Sequence, residues 1–338
     1  MKKINKVLVV GGATIDITFN IEEGKVVANP SDPLRQKLIG FEYGAKISSE
    51  ETNFGFGGGA ANVAVALSRL GISASVAVRI GDDDNGRQVI SNFKKNKVNT
   101  SFVQVGKKEK TGISFIISPG KTEDHIAFLE RGANDNFLLN KSLVNLGFDW
   151  IYLASISDKN WQATINKITS LLGSQTLFAW NPGSRQIESG LNNLKKYLEK
   201  TEILFLNKDE AIELVATEEE NRSMGVKWLN EVKNLFDVLG KYGPKIIVIT
   251  DGKNGAWARE KEDIYHIEAF NKDEVICDTT GAGDSFCASF LAGYIFYNDI
   301  DKSLELGAIN SAHNVTGVGA QNPLLTRSEA EKLMNQEL

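Results

Sequence analysis

Gly281-Ala282-Gly283-Asp284 stands directly before the apolar run Ser285-Phe286-Cys287-Ala288-Ser289-Phe290-Leu291-Ala292. Two glycines let a chain turn with successive N–H groups aimed one way, and the helix that follows adds its positive dipole, so this segment has the makings of an anion site. A phosphoryl group in transfer fits there. Such transfer is mostly positioning and charge stabilisation, but the attacking hydroxyl must lose a proton, and a carboxylate beside the anion hole suits that task. Asp284 is therefore the candidate catalytic base, with Gly281, Ala282 and Gly283 forming the anion hole. An isolated GxGD is better read as a helix cap, so the rest of the chain has to decide.

Two other glycine-rich segments compete. Gly120-Lys121-Thr122 has the tail of a Walker A loop, but the earlier required glycine falls on Phe115. Gly55-Phe56-Gly57-Gly58-Gly59-Ala60 satisfies G-x-G-x-x-A, and Asp82 lies at a suitable distance for a ribose-binding acid. However, Ser48-Ser49-Glu50-Glu51-Thr52-Asn53 ahead of it is not a buried strand, so a dinucleotide oxidoreductase lacks its context.

The elements that must position these residues alternate. Val7 to Val10, Ser75 to Ile80, Trp150 to Ala154, Thr176 to Trp180, Ile203 to Leu206 and Ile246 to Thr250 read as buried strands. Between them Ala60 to Leu70, Asp83 to Lys95, Asp158 to Leu172, Lys208 to Val215 and Arg222 to Leu239 carry helical spacing, which predicts βαβ units and a parallel sheet. The stretch from about Ile15 to Phe54, with turns at Glu23-Gly24, Asn29-Pro30 and Tyr43-Gly44, alternates like half-exposed hairpin strands. So do Gly112 to Ile117 and His125 to Leu129; both predict a small β lid. Helices follow over Gly281 to Ile295, Asp301 to Asn314 and Arg327 to Asn335.

Composition sets the outer bounds. The 338 residues are 42% hydrophobic and 24% charged, enough for a large core. A net charge of -5 argues against a nucleic-acid binder. Cys277 and Cys287 lack CxxC spacing and only three histidines are present, which argues against zinc; both thiols are expected reduced. No apolar run approaches the roughly 18 residues of a membrane span, and a cytoplasmic location is expected.

Taken together, Asp278-Thr279-Thr280-Gly281-Ala282-Gly283-Asp284, Gly57-Gly58-Gly59-Ala60-Ala61-Asn62-Val63-Ala64, and Leu70-Gly71 followed by Gly81-Asp82-Asp83 resemble the two signatures of the ribokinase-like (PfkB) carbohydrate kinases. Gly12-Ala13-Thr14-Ile15-Asp16, Asn181-Pro182-Gly183, Asn207-Lys208-Asp209-Glu210 and Thr250-Asp251-Gly252-Lys253-Asn254-Gly255 stand in family order. The resemblance implies one α/β domain over 1–338, a three-layer α/β/α fold with a mostly parallel central sheet. A lid would come from strands inserted within about 15–55 and 112–130. It also implies ATP-dependent transfer of the γ-phosphoryl group to a hydroxyl of a small, ribose- or fructose-like carbohydrate. A nucleoside of the adenosine type is the alternative acceptor; a non-catalytic sugar or nucleotide sensor is a more distant one.

By the same resemblance, Asp16, Gly58, Gly59 and Asn62 would bind the substrate, and Asn207, Thr250, Asp251, Gly252 and Gly255 would bind ATP. Glu210 would help hold Mg²⁺ through water, as hard cations that keep their hydration allow. Asp278, Thr280, Asn314, Gly317 and Gly319 match a K⁺ site. Ser155 stands where ribokinases proper tend to carry an acid, which weakens a ribose assignment. Phe19, Phe54, Phe128 and Arg131 stand where they would line the lid side of the pocket, with lid core or dimer contacts the other reading of the aromatics, and exposed lid strands suggest a homodimer.

Overall fold

The computed structural model describes residues 5–22, 24–29, 37–119, 125–137, 139, 147–172, 175–270 and 276–335. The Gly120-Lys121-Thr122 segment, and Glu23 and Pro30 of the expected turns, lie outside them.

The chain opens with β1 (Lys6–Val10), then β2 (Thr14–Ile21), β3 (Lys25–Ala28), β4 (Lys37–Gly40) and β5 (Glu51–Gly57), followed by α1 (Gly59–Arg69). Next come β6 (Ser73–Ala77), β7 (Arg79–Gly81), α2 (Asp84–Lys95), β8 (Gln104–Gly106), β9 (Gly112–Pro119) and β10 (Ile126–Glu130). The middle alternates: β11 (Trp150–Leu153), α3 (Trp161–Leu171), β12 (Leu177–Trp180), α4 (Ser184–Ile187), α5 (Leu191–Leu198), β13 (Ile203–Asn207) and α6 (Lys208–Val215). Then follow α7 (Glu219–Ser223), α8 (Val226–Leu229), α9 (Val232–Leu239), β14 (Ile246–Thr250), β15 (Ala256–Glu260) and β16 (Asp263–Ile267). The chain ends in α10 (Ala282–Tyr297), α11 (Ile300–Asn314) and α12 (Arg327–Met334).

Eight strands form the central sheet in the order β16-β15-β14-β13-β12-β11-β1-β6, parallel except for the β14-β15-β16 edge. The strand sequences are almost wholly apolar because both faces are covered. Along β1, Val7 and Val9 enter the core that holds α1, α10 and α11, while Leu8 and Val10 enter the opposite core under α3, α5, α6 and α9. From β1 the chain first moves to β6 on one side and later to β11 on the other, leaving a crevice at the carboxyl ends of β1 and β11. Open α/β sheets bind ligands at such a switch point. There a Cβ on Gly11 would come within 3.0 Å of Ala154 Cβ.

The expected lid is a four-stranded sheet in the order β10-β9-β2-β5, with β3 and β4 paired beside it. β5 runs through Gly55 and Gly57, so a strand does enter the G-x-G-x-x-A segment. It is an antiparallel lid strand paired with β2, not the buried parallel strand a dinucleotide fold requires. Two other expectations are corrected. The helix over Arg222 to Leu239 is three short helices, interrupted where Gly225 takes a left-handed φ of 87°. The strand over Ser75 to Ile80 divides: β6 joins the central sheet, and β7 pairs with β8.

Candidate active site

α10 begins at Ala282, and Gly281 at its head adopts φ 78°, a left-handed conformation open to glycine at little cost. A Cβ there would also lie 2.4 Å from that of Ala320, so the loop after α11 is packed on this turn. The Ala282 N–H already donates to the Thr279 carbonyl (3.2 Å), whereas those of Gly283 and Asp284 meet no acceptor among the described residues. No described residue lies within 4 Å of a Cβ placed on Gly283. The open end of α10 is therefore at Gly283 and Asp284 rather than spread evenly over the four residues.

Asp284 is held by one hydrogen bond and left open at its other oxygen. Asn62, on α1, donates from Nδ2 to its Oδ2 at 2.8 Å. A Cβ on Gly59 would sit 3.4 Å from its Oδ1, so the absent side chain keeps that oxygen approachable. Burial pushes the Asp284 carboxyl above the usual range, the Asn62 bond pulls it back, and the charge of Asp16 adds to the rise. A carboxylate so destabilised is a better proton acceptor than an exposed one.

Asp16 projects from β2, 8% exposed, accepting a 2.8 Å hydrogen bond from Thr14 Oγ1. Its carboxylate occupies the space a Gly57 side chain would need: a Cβ there would approach Oδ2 to 1.9 Å. Burial raises its pKa, with Thr14 and Ser114 opposing. Gly58 takes φ 89°, and its backbone lies so close to Gly12 and Ala13 that a Cβ would meet Gly12 O at 2.6 Å. Gly58, Gly59, Ser114, Arg131, Asn134, Ser155, Arg185 and Glu210 all line one cavity of about 340 Å³.

Asn207 and Glu210 cap α6 reciprocally: Asn207 Oδ1 accepts from Glu210 N at 2.7 Å, and Glu210 Oε2 accepts from Asn207 N at 2.9 Å. The half-buried Glu210 carboxyl is pushed up to about 7, chiefly by desolvation, with Asp284 contributing. Asp251 pairs at 2.8 Å with Lys208 of the Asn207–Glu210 segment, and Asn254 Nδ2 donates to the same oxygen. Gly255 at φ 84° passes so near β16 that a Cβ would lie 2.0 Å from Ile267 O. A second cavity, about 590 Å³, lies between α9 and the β15-β16 hairpin against Lys208, Asp251, Trp257 and His266. Glu210, Gly58 and Gly59 line the smaller one, which places the Asp284 turn beside it.

The residues expected at a K⁺ site also converge. Asp278 accepts from Thr280 N and from Gly319 N, each at 2.9 Å, tying the loop after α11 to the turn before α10. Thr280 Oγ1 and Asn314 Oδ1 are buried without a hydrogen-bond partner among the described residues. Orphaned neutral oxygens, among them Thr280 Oγ1 two residues from the Asp278 carboxylate, suit a weakly hydrated monovalent cation. Among the described residues no three His, Cys, Asp or Glu side chains cluster to hold a metal.

Of the lid residues, Arg131 lines the cavity, whereas Phe54 and Phe128 are 73% and 56% exposed. Three site-shaping residues carried no recognisable signal: Asn134, Gln186 and Arg185. Arg185 lies two positions beyond the Asn181-Pro182-Gly183 motif, the one cue that would have led to it. Cys277 and Cys287 are free thiols.

The profile described as pfkB family carbohydrate kinase matches residues 32–327. The chain is 28% identical over 262 residues to an uncharacterized sugar kinase of Archaeoglobus fulgidus, covering 77% of this chain and 98% of that one. It is 29% identical over 295 residues to the ribokinase of Dictyostelium discoideum, covering 82% and 89%. The nucleoside kinase of Burkholderia thailandensis, solved with inosine, superposes with a TM-score of 0.78 over 98% of each chain at 18% identity. No helix among the described residues is long and apolar enough to cross a membrane.

Proposed function

The chain belongs to the pfkB family of carbohydrate kinases, ATP-dependent phosphotransferases with an alcohol acceptor, and on that premise we propose that Asp284 is the base that activates the acceptor hydroxyl. The observation that carries this assignment is the Asp284 carboxylate itself: partly desolvated, fixed by Asn62, and placed at the open N-terminus of α10. Asp284 takes the hydroxyl proton. The N–H groups of Gly283 and Asp284, with the α10 dipole, stabilise charge on the γ-phosphoryl group in transit. Asp16 accepts hydrogen bonds from sugar hydroxyls, while the bare backbone at Gly58 and Gly59 admits the ring.

Asn207 and the turn from Thr250 to Gly255 face the nucleotide. Glu210 would orient water on the Mg²⁺ that accompanies ATP, which would supply charge neutralisation at the phosphates. Asp278, Thr280, Asn314 and the backbone at Gly317 and Gly319 would hold K⁺. Residues 1–338 act as one kinase domain that works in the cytoplasm. Two copies pair through their lids, where the exposed Phe54, Phe115 and Phe128 lie in one cross-strand row with the half-buried Ile17.

The acceptor is a small ribose- or fructose-like sugar. A nucleoside is the second reading, favoured by the overall likeness to the inosine-bound kinase. Following ADP release with ribose, fructose, adenosine, inosine and cytidine separates the two. Asp284→Asn should lower turnover roughly 10²- to 10⁴-fold and leave ATP affinity nearly unchanged; a variant that turns over normally removes Asp284 from the role of base.

A further inference from the structure

Resting on the kinase reading above, we propose that His125 is a positioning residue for phosphoryl transfer: its hydrogen bond to Thr279 fastens the far end of the lid to the turn that enters the anion hole, and so keeps the acceptor dry beneath it.

The lid is rooted along one side. β2 follows β1, β5 leads into α1 through Gly58, and β9 runs outward from Gly112, which pairs with Thr14 at the root, before β10 returns to Glu130. Its inner face is buried, with Asp16, Thr18, Ser114 and Ile116 turned inward, whereas Phe54, Phe115 and Phe128 are exposed on the outer face. Ala127 pairs with Ile116, so strand alternation places His125, two positions earlier and just beyond β10, on the inner side. There His125 Nδ1 lies 3.2 Å from Thr279 Oγ1, hydrogen-bond distance in either tautomer. Electrostatics agree with that placement: His125 lowers and Asp278 raises the Asp16 carboxyl, so all three groups act across one space.

The turn that receives the imidazole is braced. Thr279 O accepts from Ala282 N at 3.2 Å, and Asp278 accepts from Thr280 N and Gly319 N, each at 2.9 Å. Beyond it the chain enters α10 with the open N–H groups of Gly283 and Asp284. A contact at Thr279 therefore joins two parts of the reaction: the lid strand that carries Asp16 and the turn that leads to the base. Water competes with the acceptor for the phosphoryl group whenever the lid stands open, so closure governs coupling. Acceptor entry and product exit require the contact to break, and one exposed hydrogen bond is weak enough to allow that.

The test takes whichever of ribose, fructose, adenosine, inosine and cytidine the parent chain phosphorylates best, and counts ADP released against phosphorylated acceptor formed. His125→Ala and Thr279→Val should each raise KM for that acceptor by about 3- to 10-fold and hold KM for ATP within about 2-fold. Each should also raise the ratio of ADP to phosphorylated product. The two changes together should do no more than either alone, because they break one contact. His125→Asn, whose amide nitrogen can stand where Nδ1 stands, should recover most of the loss. Amide hydrogen exchange across β9 and β10 of the ligand-free protein gives a second reading: faster in both single variants and restored by His125→Asn. An unchanged coupling ratio, additive losses in the double variant, or lid exchange indifferent to either change overturns the proposal and leaves the kinase assignment standing. Absence of phosphorylated product from every acceptor counts against the kinase assignment instead, and lid exchange then decides whether His125 closes the lid.

Discussion

Asn62 Nδ2 donates to Asp284 Oδ2 at 2.8 Å, and this bond is the last of a directional series of amides. Gln321 Nε2 donates to Asn62 Oδ1 at 2.9 Å, Asn92 Nδ2 to Gln321 Oε1 at 2.7 Å, and Asn96 Nδ2 to Asn92 Oδ1 at 3.1 Å. A carboxylate can only accept, so it requires the amino group of Asn62, which in turn leaves Oδ1 for the amino group of Gln321, and so outward. Every dipole in the series favours the charged form of Asp284, and chained hydrogen bonds polarise one another. Asn62 therefore has both ends of its amide committed within the protein, although a sugar-binding role was expected from its motif.

Replacing Gln321 with Met, close in shape but unable to donate, frees Asn62 to rotate its oxygen toward Asp284. The Asp284 pKa then rises further, so the acid limb of the kcat profile should move to higher pH. At neutral pH kcat should fall roughly 10-fold, the effect of a lost charge-assisted bond, with KM for ATP little changed. A parallel loss at all pH values would instead indicate structural damage.

Glu210 titrates near 7 against an ordinary value of 4.5. Between those values the folded protein binds more protons at this site than the unfolded chain, so this contribution to stability is full below about 4.5 and lost as pH climbs through about 7. Two measurements follow. Thermal melts of Glu210→Gln should show a smaller decline across that window, and the wild-type activity limb near 7 should shift to lower pH as Mg²⁺ is raised, because the cation favours the ionised carboxylate.

Gly255→Ala should destabilise the protein by about 1–3 kcal/mol, since φ is 84° and the new methyl would meet Ile267 O. Denaturant unfolding measures the loss. A neutral result would mean that the β14-β15 turn can relax away from β16.

Phe115 occupies the middle of the exposed lid row and is 40% exposed. If that row is the dimer contact, Phe115→Asp should give a monomer in sedimentation at concentrations where the parent chain is dimeric. A parent chain that is itself monomeric at high concentration disposes of lid pairing.

The order of elements and most of the chemistry could be read along the chain. Buried strands are continuous apolar runs, helices repeat their apolar residues with the helical period, and GAGD before an apolar run marks a helix that can receive an anion. Those signals are local, so Lys208 to Val215 was predicted with the bounds observed. β15 and β16 were missed because an edge hairpin with Arg259, Glu260 and Asp263 has no buried run to betray it. Long-range partnership was also invisible. Asn62 and Gln321 are 259 positions apart, Asn134 and Ala13 are 121 apart, and nothing in either sequence neighbourhood marks the other. Arg131 and Arg185 came to one cavity only when the lid folded over the carboxyl ends of the central strands. Residue types and spacing determine what each segment can do chemically; burial, charge balance and the choice of hydrogen-bond partner arise from contacts between distant segments, and those exist only in the folded chain.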